Sequence, residues 1–119
     1  MASTYEYIDV SALENFTGHD YSTVDAAYTD DVINANITIA ERIVNSLCNQ
    51  TFSGTIPDEV VSATTIMAAS LMRRRMIEDG HVDRANPEKK HVPVVTYEIR
   101  QILAAQMKGF AYAPTRSGL

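Results

Sequence analysis

A run of apolar residues between Asp30 and Asn49 constrains this chain more than anything else in it. Ile33, Ile37, Ala40, Val44 and Leu47 recur at spacings of four, three, four and three, the stripe of an amphipathic helix. Val32, Ile39 and Ile43 widen that stripe, as a core-facing helix requires. Thr29 is placed to cap the helix, and Asp30 and Asp31 lie where the helix dipole favours acids. Burying five such side chains contributes about 10 kcal/mol before chain entropy is subtracted. The stripe therefore has to be covered, and the remaining segments are read for what covers it.

Gln50 to Ile56 breaks the period, and Pro57 suits a first helical position, with Asp58 and Glu59 in the first turn. From Val60 to Ile77 the chain is apolar around most of a helical circumference until Arg73. That pattern predicts the central, most buried helix, ending at a Gly80 cap. Thr96 caps a last helix, in which Ile99, Ile102, Leu103 and Gln106 share a face and which Gly109 ends. At the start, Tyr5 to Phe16 reads as one short helix and Thr17 to Thr29 as a polar connector. His81 to His91, with Pro87, reads as an exposed loop, and Val92 to Val95 as at most an edge strand because of Pro93. The expected fold is mostly α. It is a small bundle of three main helices plus a short N-terminal helix, with an extended loop and a C-terminal arm. Residues 1–108 form the helical domain and 109–119 the arm.

At 119 residues there is room for one domain. No apolar run approaches the roughly 18 residues that cross a bilayer. The opening MASTYEYIDV has neither a basic nor a hydrophobic signal region, so secretion is not expected, and the sequons at Asn15, Asn36 and Asn49 read as chance matches. Cys48 is the sole cysteine, which excludes an internal disulfide and a Cys-based zinc site. The five glycines are scattered, so no phosphate-binding loop can be built from them. His19, His81 and His91 are far apart, and the His19-Asp20 pair has no nucleophile beside it. Asp30-Asp31 and Asp58-Glu59 are accounted for by helix starts. These features give no enzyme, no cofactor and no metal as the expectation.

Charge is divided along the chain. From Met1 to Ser70 ten acids face Arg42 alone, whereas from Leu71 onward nine bases face five acids. Such asymmetry is an interaction signal. Its sharpest point is Arg73-Arg74-Arg75, whose side chains fan over roughly 200° of the helix and cannot all face a core. A charged helix end complementing the dipole, salt bridges to another subunit or partner, and DNA contacts are the three accounts of it. In the arm, Phe110, Tyr112 and Pro114 are apolar or aromatic yet fall outside any helical or strand period. They suit a segment that anchors on a partner.

The phrases DDVINANITIAERIVNSLCNQTF and PDEVVSATTIMAASLMRRR, preceded by YIDVSALENFTG, resemble the head–tail connector (adaptor) family of long-tailed bacteriophages and related tailed viruses. Asp30, Ile33, Ile37, Ala40 and Ile43, ending near Phe52, match the first helix of that family. Pro57, Glu59, Ala63, Thr64, Ala68 and Leu71 match the second. The resemblance covers Tyr5 to Gly80 and continues more loosely through the last helix. It implies a structural virion protein at the neck, made in the host cytoplasm. Its copies are expected to form a ring, usually of twelve, under the portal protein. That ring extends the DNA channel and receives the stopper or tail-completion protein, and genomic DNA passes without sequence-specific binding. The terminal segment of the family commonly engages the portal, so Phe110, Tyr112 and Pro114 are expected at that contact, with a neighbouring copy as the second candidate partner. The alternative from the residues alone is a small helical DNA-binding or regulatory module using Arg73 to Arg75.

Overall fold

Capping residues set where the helices begin. In the computed structural model, which describes residues 2–81 and 93–108, Asp9, Thr29 and Thr96 each accept a backbone N–H from three residues on. They open α1 (Val10–Thr17), α3 (Asp30–Cys48) and α5 (Tyr97–Leu103). Between the first two lies a single turn, α2 (Tyr21–Val24), and the longest helix is α4 (Asp58–Glu78). A 3₁₀ turn, Ala104–Gln106, extends α5. Pro57 stands at the N-cap of α4 rather than inside its first turn, with extended ψ of 144°. The fold is mostly α, and the described residues contain no strand. Pro93 to Val95 forms a bend in which Val94 is buried. The rest of the expected loop, apart from His81, and the arm lie outside the described residues.

Three helices end in left-handed residues that let the chain fold back on the last turn: α1 at Gly18, α3 at Asn49 and α4 at Gly80. Gly80 adopts φ 86°, and the N–H groups of Gly80 and His81 bond the carbonyls of Ile77 and Met76 at 3.1 and 2.8 Å. Asn49, at φ 54°, ends α3 in the same way, because asparagine tolerates this region better than most side chains.

The start of α3 lies beside the end of α4. The Tyr28 hydroxyl donates to Asp79 at 2.7 Å, and Asn36 Nδ2 meets Met72 Sδ at 3.4 Å, so α3 and α4 form an antiparallel hairpin. α4 packs on α1, α3 and α5 at once, which makes it the central helix and explains why apolar residues surround it. Val60, Ala63, Met67, Ala68 and Met72 are fully buried. Thr64 and Thr65, also buried, return their hydroxyls to the carbonyls of Val60 and Val61 at 2.7 Å. Leu71 is only half-buried.

The stripe of α3 is buried through Ile33, Ile37, Ala40 and Val44, with Cys48 rather than Leu47 as its last core residue. Ile39 does not widen it and stands 44% exposed. Glu41 occupies the stripe instead. Fully buried, its carboxylate accepts the Ser3 hydroxyl at 2.8 Å and the N–H groups of Tyr5 and Tyr7 at 3.0 and 2.9 Å. Tyr5 to Asp9 is therefore a strap held to α3, not the first part of a helix. Tyr7 continues it by donating its hydroxyl to Asn45 Oδ1 and accepting the Phe52 N–H at 3.0 Å. The polar connector also differs from its sequence reading, because Tyr21 and Tyr28 are buried in the core. At the far end, Lys108 N–H bonds the Cys48 carbonyl at 2.9 Å and Gln50 Nε2 the Gln106 carbonyl at 2.6 Å.

Candidate interaction surface at the arginine end of the central helix

Arg73, Arg74 and Arg75 are all exposed, as their angular spread requires, but they do different things. Arg75 is held within the domain. Its Nε lies 3.4 Å from Asp79, and its guanidinium carbon is 6.0 Å from the centre of the Tyr28 ring. Arg74 also has a partner interaction in the protein. Arg73 faces elsewhere, into a groove of about 310 Å³ between the end of α1 and the middle of α4. Phe16, Thr17, His19 and Tyr21 form one wall; Ile66, Ala69, Ser70 and Met76 complete the lining. The α4 residues follow from helical spacing, since positions 66, 69, 70 and 73 share one face. Phe16 is 59% exposed on the rim.

Beside the groove the end of α4 is tied to the α2–α3 connector. His81 Nε2 lies 2.9 Å from Asp25, and its ring meets Tyr28 edge-on at 5.7 Å. Accepting the Ala27 N–H, and then pairing with His81, holds the Asp25 carboxyl below its ordinary value. Desolvation, and next the hydrogen bond to the Asp79 carboxylate, pushes the Tyr28 phenol far above its own. His19 is exposed and lies against Tyr21 at 5.8 Å between ring centres. Cys48 is fully buried, which raises its thiol pKa. Among the described residues no group of three His, Cys, Asp or Glu side chains is placed to hold a metal ion.

A second depression, of about 610 Å³, lies under the N-terminal strap and is edged by Glu6, Asp9 and Asp30. Two residues central to this geometry escaped the sequence reading. Phe16 was assigned to a helix but not to a surface, and Glu41 was not singled out. The signal for Glu41 was present: it follows Ile37 by four and precedes Val44 by three, so it had to share their face. Phe110, Tyr112 and Pro114 lie outside the described residues. Compared with protein-family models, curated proteins and solved structures, the chain has no match to any of them.

Proposed function

We propose that this chain is a structural virion protein, a head–tail connector adaptor whose copies form a ring under the portal. The ring, expected to hold twelve copies, extends the DNA channel and receives the stopper or tail-completion protein. The observation that carries the reading is the α3–α4 hairpin. Of the residues that bear the resemblance, Ile33, Ile37, Ala40, Ala63, Thr64 and Ala68 are buried, while Asp30 and Glu59 lie in first turns and Pro57 at a cap. These positions thus act as a scaffold's packing and start signals, and they leave Arg73 and the groove for contacts with other chains. No described helix is long and apolar enough to cross a membrane.

Electron microscopy of the purified protein, alone and mixed with portal, tests the reading. Rings seated on portal are the expected result, and a monomer indifferent to portal overturns it. Truncation after Lys108 is expected to keep helical content and melting behaviour but to abolish attachment to portal-bearing heads. The exposed arginines favour one other reading, a DNA-binding or regulatory module. It predicts duplex binding that weakens steeply with salt, since phosphate contacts release counterions.

A further inference from the structure

Three large apolar side chains stand exposed among the described residues: Phe16, Ile39 and Tyr97. Tyr97 is the extreme case at 77%. It is the first residue of α5, and the next residue, Glu98, is exposed as well. An aromatic ring with a carboxylate one position away thus projects from the first turn of α5. The groove on α4 has the opposite character. Phe16 offers a ring at its rim, Ala69 and Ser70 make a shallow floor of small side chains, and Arg73 supplies a guanidinium. Within the described residues Arg73 and Glu98 have no ion pair with each other or with another side chain.

We propose that the chain self-associates head to tail, with Tyr97 of one copy entering the α4 groove of the next. There its ring packs against Phe16, and Glu98 meets Arg73. Aromatic pairs favour offset or edge-on packing of this kind, and a carboxylate beside a guanidinium fixes the register of the contact. Knob and groove are different surfaces, so the contact is heterologous and leaves one of each open on every pair. Such a contact propagates until the rotation closes a ring. The inference deepens the connector reading by naming its subunit contact, and rests on that reading for ring closure.

Sedimentation velocity on the purified full chain, without portal, is the test. Arg73→Glu and Glu98→Arg are each expected to weaken association by about tenfold or more, and Tyr97→Ala likewise. Combining Arg73→Glu with Glu98→Arg is expected to restore association, because the pair is rebuilt with its signs exchanged. Circular dichroism of every variant should match the parent, since all three side chains are exposed. The proposal is overturned if the parent stays monomeric, if the single reversals have no effect, or if the double reversal recovers nothing. Portal attachment by a protein whose association ignores these residues would sink this contact and leave the connector reading standing. Association through them by a protein that never binds portal would uphold the contact and remove the connector reading.

Discussion

At Glu41 a carboxyl side chain has been taken fully out of water, with hydrogen bonds from Ser3, Tyr5 and Tyr7 as its compensation. Removing it leaves the Ser3 hydroxyl and two strap N–H groups without their acceptor. Glu41→Ala is therefore expected to cost about 3 kcal/mol, read from urea unfolding. Glu41→Gln keeps one oxygen acceptor and should cost less; equal losses would mean that packing, not acceptance, is what matters at this position. Tyr28 makes a second residue-scale prediction. Its pKa is raised in the folded protein, so the neutral phenol's contribution is complete below the ordinary value of 10.0 and is lost as pH rises toward the folded value. Stability should thus fall in alkali above about pH 10, and less so in Tyr28→Phe, which cannot ionise beside Asp79. Asp25 works with the opposite sign. Its depressed carboxyl adds stability above the ordinary value of 3.8, lost as pH falls through the folded one. Asp25→Asn should flatten that acid limb in thermal melts followed across pH.

Among the elements, α4 separates what sequence can reveal from what it cannot. Its apolar girdle marked it as central, and three helices do pack on it. Around that girdle the burial is uneven, since Leu71 is half-buried while Met67 and Met72 are sealed. Met67→Ala and Met72→Ala should each cost roughly 2–5 kcal/mol and Leu71→Ala about 1–2 kcal/mol, measured by chemical denaturation. Helices and their caps were legible because period, Thr29, Thr96 and Gly80 are local signals. The buried Tyr21 and Tyr28 were not, since a lone tyrosine in a polar segment has no period to betray it. Nor could the strap be separated from α1 by apolar content alone. Tyr5 to Asp9 is fixed by an acceptor on α3, a contact that spans more than thirty residues. At the surface, the arginine triplet was legible as exposed, but its division between an internal pair at Arg75 and an outward Arg73 depends on where Asp79 and Phe16 come to lie.

For the molecule as a whole, the acidic first half and the start of the basic second half are folded against each other in the α3–α4 hairpin. The antiparallel hairpin brings the start of α3 to the end of α4, so Asp25 meets His81 across it, whereas Arg75 pairs with Asp79 within the basic half. The contact proposed for a neighbour is narrow, Arg73 and the groove around it against Tyr97 and Glu98. Association should accordingly weaken only moderately with added salt. An exposed ion pair is screened over about 8 Å at physiological ionic strength, whereas the aromatic packing is not. Light scattering across a salt series checks this: complete dissociation at modest salt would mean that charge alone holds the copies together.

The closure between Lys108 and Cys48 makes the only thiol in the chain a clock. That sulfur is fully buried at the end of α3, beside the seam where residues 97–108 dock, so labelling counts openings rather than collisions. Met107 already has the extended backbone that precedes proline comfortably, at φ −76° and ψ 135°. Lys108→Pro would delete the N–H that fastens this seam. Labelling of Cys48 should then quicken well before the midpoint of global unfolding moves, and the gap between the two would time how often this end of the domain breathes.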